Sequence, residues 1–262
     1  MIRALYTAAS GMSAQQANLD TIANNLANSA TAGFKSRSVQ FEDMIYQNLV
    51  TPGSPATQST SQAGLQIGLG ARSAATEVIM TQGTITQTSN PLDVAIEGQG
   101  FFQIQMPDGT LAYTRSGSFH LTNQGQIVTI DGNTVLPSIT IPANATSITI
   151  SNYGVVSASI PGQTLPSQLG TMQMATFVNP GGLTSLGANL FAVSNSSGNA
   201  VTDTPGGTSG VGTLQQGYLE SSNVDVVTEF VQMILAQRAY ESNSKVVHVA
   251  DDMYSQINGM VR

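Results

Sequence analysis

The residues able to do acid–base, metal or nucleophilic chemistry are few in this chain, and their spacing does not gather them. The two histidines, His120 and His248, lie in different regions and neither has a second histidine at ligand spacing, so no metal centre is expected. Asp251-Asp252 reads as a solvated or intersubunit helix face rather than a catalytic carboxylate pair. Gly98-Gln99-Gly100 precedes Phe101-Phe102, but Gln103 stands where a dinucleotide loop needs its third glycine, and no helical pattern follows. That segment predicts a turn or bulge. Neither a Gly-x-Ser-x-Gly elbow nor a phosphate loop is present, and Asn144-Ala145-Thr146 and Asn195-Ser196-Ser197 match a sequon common by chance. With 0 cysteines, thiolate ligands, disulfides and Cys nucleophiles are excluded. The expectation is no catalytic site, no cofactor and no metal.

The elements that would have to position a site carry the stronger signal. Near the start Leu5, Met12, Leu19 and Leu26 recur every seven residues, with Ala9 and Ala23 beside them. Near the end Val226, Met233, Tyr240, Val247, Tyr254 and Val261 do the same. A seven-residue apolar repeat holds a helix seam against a partner. Both helices could simply pack on the rest of the chain. Yet Phe230, Ile234 and Ile257 lie at an angle to the second seam and need other cover, which favours assembly.

Composition supports that reading. Charged residues make up 9% of the 262, against roughly 25% in ordinary domains. Residues 132–202 contain no Asp, Glu, Lys or Arg, which suits a surface covered by neighbours. The net charge of −7 and eight scattered basic residues argue against nucleic acid and anionic membranes. No run of about eighteen apolar residues exists, so no transmembrane segment is expected. The first residues lack the apolar core of a signal peptide, so export would need a dedicated machine.

Along the chain, residues 2–30 predict one amphipathic helix, with Asn24, Asn25 and Asn28 crowding its end as candidates for specific hydrogen bonds, and Gly33 as a stop. Residues 34–50, with Phe41, Met44, Ile45 and Leu49 at helix-like spacing, read as a short helix or an extended arm. Residues 51–71, uncharged and rich in Pro, Gly, Ser and Thr, read as a linker or extended loop. Between 72 and 219 the pattern has period two, as in Val94/Ile96, Phe102/Ile104 and Met172/Met174, predicting half-buried strands. Asp108-Gly109, Asn123-Gln124-Gly125, Asp131-Gly132 and Asn179-Pro180-Gly181-Gly182 supply turns. A last helix of nearly forty residues is expected from about Asn223, with Ser222 and Asp225 as a weak capping box.

At this point a family resemblance is visible. Ala23-Asn24-Asn25-Leu26-Ala27-Asn28 followed by Thr31-Ala32-Gly33-Phe34-Lys35 resembles the N-terminal signature of bacterial flagellar rod and hook proteins. Leu219-Glu220-Ser221-Ser222-Asn223-Val224-Asp225-Val226-Val227 and Gln237-Arg238-Ala239-Tyr240-Glu241 resemble their C-terminal signature. Leu92-Asp93-Val94-Ala95-Ile96-Glu97-Gly98-Gln99-Gly100-Phe101-Phe102 and Tyr113-Thr114-Arg115-Ser116-Gly117-Ser118-Phe119 are similar to the family core, and the segment Gly64 to Arg72 is most similar to the distal-rod branch.

The resemblance implies a structural subunit of the distal rod, polymerising into a helical tubular drive shaft that carries torque from motor to hook. Another axial protein, proximal rod or hook, and a secreted β-rich binding module are the alternatives. The implied partners are copies of the chain itself, proximal rod and hook proteins along the axis, peptidoglycan and outer-membrane ring proteins around it, and the flagellar export apparatus. The implied place is the periplasm-spanning basal body, reached without a cleaved signal peptide. The expected fold is α+β: long N- and C-terminal helices in a coiled-coil-like pair, with a central, mostly antiparallel β domain. Residues 1–34 with 222–262 would form the assembly domain, 35–72 a connecting arm and 73–221 the β-rich outer domain. The expected assembly interface is Leu5, Met12, Leu19, Asn24, Asn25, Leu26, Asn28, Val226, Phe230, Met233, Tyr240, Val247, Tyr254 and Ile257. By resemblance, the segment containing Tyr46, Pro52, Leu65, Ile67 and Leu69 would confer straightness and stiffness.

Overall fold

The computed structural model describes residues 2–50, 55–56, 59–60, 64–163, 165–207 and 209–260. The chain divides into two compact units. One gathers the described residues of 1–27, 37–77 and 225–262; the other gathers 28–36 and 78–224. The fold is α+β, with helices at both ends of the chain and antiparallel strands between them.

In the first unit, helix α1 (Ile2–Ala27) and helix α2 (Val226–Met260) pack against each other. Their 26 and 35 residues correspond to about 39 and 52 Å of helix. The pair runs antiparallel, because Gly11 meets Asn243 while Asn25, two turns of the repeat later, meets Glu229 earlier in α2. The seven-residue stripes lie at this contact only as half of each seam. Leu5, Met12, Leu19 and Leu26 are half-buried, as are Met233, Val247 and Tyr254. The tightest positions are Ala8, Ala14, Ile22 and Asn25 of α1, with Ala236 and Ala250 of α2. Small side chains let the backbones approach, and a sequence stripe of large apolar residues does not reveal them. Ala9 and Ala23, expected on the seam, are exposed.

Both helix ends differ from expectation. Helix α1 stops at Ala27, and residues 28–30 form a turn. Helix α2 starts at Val226, three residues later than expected, because Asp225 and not Ser222 is the cap. Asp225 Oδ1 accepts from the Val227 N–H at 3.0 Å, and its Oδ2 accepts from the Thr228 hydroxyl at 2.8 Å. An orphan backbone donor of the first turn is thereby satisfied. These hydrogen bonds hold the Asp225 carboxyl below its usual range.

The segment read as helix or arm is strand. Arg37–Asp43 pairs with Ala71–Val78, and Tyr46–Val50 pairs antiparallel with Leu65–Gly68. The helix-like spacing of Phe41, Met44, Ile45 and Leu49 has no burial to match it, since all four are exposed. A periodicity without a buried face does not decide an element.

The second unit centres on the strand Phe101–Gln105 in a nine-stranded sheet. It pairs antiparallel with Leu111–Thr114 on one edge, and with both Thr134–Leu136 and Met174–Thr176 on the other. Neighbouring residues on this strand serve different cores. Phe102 joins Val94, Ile96, Phe119 and Met174 in the larger one, with its ring 5.0 Å from Phe119. Phe101 joins Tyr113, Phe177 and Phe191 in the second. Val94, Ala95 and Ile96, on a strand paired separately with Thr213–Gln216, are likewise all buried. The period-two pattern predicts strands with one wet face; here the sheet is covered on both sides. The expected turns at Gly109, Gly125 and Gly132 are present with positive φ, while 180–182 forms a short 3-10 helix.

Candidate assembly surface and its anchor points

The described residues hold no cluster of three His, Asp or Glu side chains able to share a metal ion, and no helix is long and apolar enough to cross a membrane. What they present instead is apolar surface. On α2, Val227, Phe230, Val231, Ile234 and Leu235 form one exposed stripe, with Val227 72% and Leu235 64% accessible. Beyond the exposed Arg238–Glu241 pair, Val246, Val249, Met253 and Ile257 form a second open apolar stretch, the first three of these beside Ala4 of α1 in one shallow hollow. In the arm, Ile45 is 83% exposed, and Tyr46, Leu49, Leu65, Ile67 and Leu69 lie open beside it. An apolar hollow of ≈ 370 Å³ lies among Tyr6, Ser10, Met44 and Leu69 of the same unit. Contiguous apolar surface of this extent marks an interaction face.

The candidate residues fall into three groups. Phe230 and Ile257 are exposed, as are Val226 and Tyr240 at the edge of the helix contact. Leu5, Met12, Leu19, Leu26, Met233, Val247 and Tyr254 are half-buried at that contact. The asparagines act at the end of α1. Asn25, 2% exposed, donates from Nδ2 to the Arg37 carbonyl at 2.8 Å and to Glu229 Oε1 at 3.0 Å. Its Oδ1 accepts from the Arg37 N–H at 2.9 Å. One side chain thus ties α1, α2 and the first arm strand. Asn28 Oδ1 accepts from the Thr31 hydroxyl at 3.3 Å, and Asn24 is exposed. Of the stiffness segment, Tyr46, Leu65, Ile67 and Leu69 are exposed, and Pro52 lies outside the described residues, as does Val261 of the second stripe.

Glu229 is the weak point of the seam. Its Oε2 is buried without a hydrogen-bond partner among the described residues. Burial pushes its carboxyl above the usual range, the Asn25 hydrogen bond opposes this, and the Asp225 charge adds to it.

Within the β unit, sequence reading missed a buried ionic cluster. Glu220, 1% exposed, accepts from Lys35 Nζ at 2.5 Å on Oε1 and from Arg115 Nε at 2.9 Å on Oε2. The Gly83 N–H also donates to Oε1 at 2.9 Å. Lys35 donates to the Thr81 carbonyl at 2.7 Å. Arg115 Nη1 donates to the carbonyls of Gly98 and Gly100, and its Nη2 donates to that of Gly98. Those carbonyls belong to the glycine turn, where Gly98 and Gly100 have φ of 104° and 137°. Burial pulls the Lys35 amine below its usual range, against Glu220, with Arg115 adding to the lowering. Asn223 closes the same region: its Oδ1 accepts from the Ser36 N–H at 2.7 Å, and its Nδ2 donates to the Ile79 carbonyl at 2.8 Å. The one signal for the cluster was charge scarcity, since Lys35 and Arg115 are the only Lys or Arg in residues 28–36 and 78–224.

Comparison with known proteins matches three segments of the sequence to family models. Residues 5–35 match the family model described as flagella basal body rod protein, residues 95–158 that of the flagellar hook protein FlgE/F/G D1 domain, and residues 215–260 that of the flagellar basal body rod FlgEFG protein C-terminal. The chain is 47% identical over 259 residues to the flagellar basal-body rod protein FlgG of Buchnera aphidicola subsp. Acyrthosiphon pisum, covering 98% of this chain and 99% of that one. It is 48% identical over 265 residues to the protein of the same name from Borreliella burgdorferi, covering 100% of both chains. The Bacillus subtilis protein of that name is 40% identical over 267 residues, again with 100% of both covered.

Proposed function

Because the chain belongs to the flagellar basal-body rod protein family, as a structural rod subunit and not an enzyme, we propose that it builds the distal rod as a helical, tubular polymer that transmits torque from motor to hook. The observation that carries this is the exposed apolar stripe of α2 together with the open arm, all on the unit that holds both chain ends. In the polymer, α1 and α2 form a coiled-coil-like pair and their outer faces dock on neighbouring subunits. Head-to-tail contacts that do not close give a filament. The interface runs over Val226, Phe230, Tyr240 and Ile257 outside the pair, with Leu5, Met12, Leu19, Leu26, Met233, Val247 and Tyr254 inside it. Asn24, Asn25 and Asn28 fix the end of α1. Residues 1–34 with 222–262 act as the assembly domain, 35–72 as the arm that stiffens the shaft through Tyr46, Pro52, Leu65, Ile67 and Leu69, and 73–221 as the outer β domain. The shaft spans the periplasm inside the peptidoglycan and outer-membrane rings, between proximal rod and hook proteins, and its subunits arrive through the flagellar export apparatus.

Two variants test the reading in full-length protein. Deleting residues 223–262 abolishes sedimentable filaments. Phe230→Glu with Ile234→Glu raises the polymerisation concentration while leaving the monomer within about 0.5 kcal/mol of wild type, because both sites are exposed. Filaments of wild-type morphology from the truncated chain would overturn it.

A further inference from the structure

We propose that the cavity beside the Lys35–Glu220–Arg115 cluster is a carboxylate socket, filled in the polymer by a hairpin-tip aspartate, Asp108 or Asp131, of a second copy of the chain. The inference rests on the polymer reading above and gives it one specific contact.

The cavity has a volume of ≈ 340 Å³, at the lower end for ligand sites, and Lys35, Gly98, Gln99, Phe101 and Arg115 are among its lining residues. Two buried cations there face one carboxylate, Glu220. A buried charge without a counter-ion is costly, and the cluster carries one positive charge in excess. Donors are also in excess. Lys35 has three N–H bonds and uses two, and Arg115 has five and uses four, so each keeps one without an acceptor among the described residues. An anion entering the cavity would satisfy both deficits.

Charge complementarity names the occupant. The β unit has no Lys or Arg besides Lys35 and Arg115, so the cavity is its one site of concentrated positive charge. Its other formal charges are carboxylates: Asp93, Glu97, Asp108, Asp131 and Asp203. Two of these project at hairpin tips. Asp108 lies between the strands Phe101–Gln105 and Leu111–Thr114, and Asp131 between Ile127–Thr129 and Thr134–Leu136. Both are exposed, and a Cβ added at the adjacent Gly109 or Gly132 would meet nothing within 4 Å. Socket and plug on different patches of one molecule make a heterologous contact, the kind that propagates a filament.

The test uses the full chain labelled with lysine carrying ¹⁵N at Nζ only, which gives two amine signals, Lys35 and Lys245. Titration with sodium acetate moves the Lys35 amine signal saturably and leaves Lys245 in place, whereas chloride at equal ionic strength does neither. Gln99→Glu puts a carboxylate at the cavity wall in cis and weakens the acetate response by roughly tenfold. In sedimentation, Gln99→Glu and the double variant Asp108→Asn/Asp131→Asn each raise the polymerisation concentration by roughly tenfold. A Lys35 signal unmoved by acetate, or moved by inorganic phosphate alone, overturns the carboxylate socket. A double variant that polymerises at the wild-type concentration overturns the second copy as occupant. Wild-type protein that never sediments counts against the polymer reading itself, and the acetate response then decides the socket.

Discussion

Replacing Glu220 by Gln removes the one negative charge between two buried cations while keeping the side chain's shape. Glu220 accepts three hydrogen bonds, from Lys35, Arg115 and the Gly83 N–H, and it is 1% exposed. The amide retains one acceptor oxygen, but its NH₂ then faces a cationic donor. Breaking a buried ion pair by neutralising one partner costs about 3–5 kcal/mol, because the remaining charges stay buried. For a unit of this size each kcal/mol lowers the midpoint by about 2–4 °C, so the expected loss is roughly 6–20 °C. The assay is thermal unfolding followed by near-ultraviolet circular dichroism, where Tyr113, packed at 4.9 Å from Phe177, reports the β core. The double variant Glu220→Met/Lys35→Met removes one charge of each sign and is expected to recover part of the loss, which an isosteric but otherwise disruptive change would not permit. A Glu220→Gln midpoint within about 2 °C of wild type would refute the idea that the cluster holds the β unit together.

Three further outcomes follow from single residues. Asn25→Ala removes two hydrogen bonds to the Arg37 backbone and one to Glu229 from a nearly fully buried site and should cost about 1–3 kcal/mol, read as lost helix signal in urea titration. Gly33→Ala should destabilise the β unit by at least about 1–3 kcal/mol, since Gly33 has φ of 71° and a Cβ there would lie 2.6 Å from the Ser116 backbone nitrogen; an unchanged melting curve would contradict the packing described. Glu229 has its folded-state pKa raised, so the folded helices bind this proton more tightly than the unfolded chain. Its burial is unfavourable above that raised value and is relieved as pH falls through it towards the ordinary carboxyl range. Wild type minus Glu229→Gln should therefore show helix stability rising on mild acidification, and a difference flat with pH would sink the assignment.

The sequence made the helices legible because a seven-residue apolar repeat survives for several turns in both, and it located the turns because Asp-Gly pairs carry their conformation locally. It hid what depends on partners distant in the chain. Lys35 and Glu220 are 185 positions apart, and nothing near either announces the other. The second half of the helix seam, from Gly11 and Asn25 to Ala236 and Asn243, consists of small and polar residues that a search for large apolar ones passes over. Phe101 and Phe102 look like one buried and one surface position until the two cores on opposite faces of the sheet are seen. The arm misled for the opposite reason. Its helix-like spacing of Phe41, Met44, Ile45 and Leu49 faces no core of its own subunit, so the spacing was uncoupled from the monomer's packing.

The two units divide the physical work differently. The β unit contains its own cores and its own ionic cluster, so its order does not depend on neighbours for apolar burial. The helical unit meets itself along a seam in which mostly small and polar residues, Ala8, Ala14, Asn25, Ala236 and Ala250, with Ile22 as the one large apolar side chain, are the most buried. Small and polar side chains remove little apolar area from water, at roughly 25 cal/mol per Å². The larger side chains of α2, Phe230, Ile234 and Leu235 among them, point away from that seam. A helix pair built this way specifies register through close approach and hydrogen bonds, and leaves part of its large apolar surface uncovered within the subunit. In the proposed polymer, contacts on that open surface would stabilise the helical unit by mass action and leave the β unit, which has its own cores, little changed.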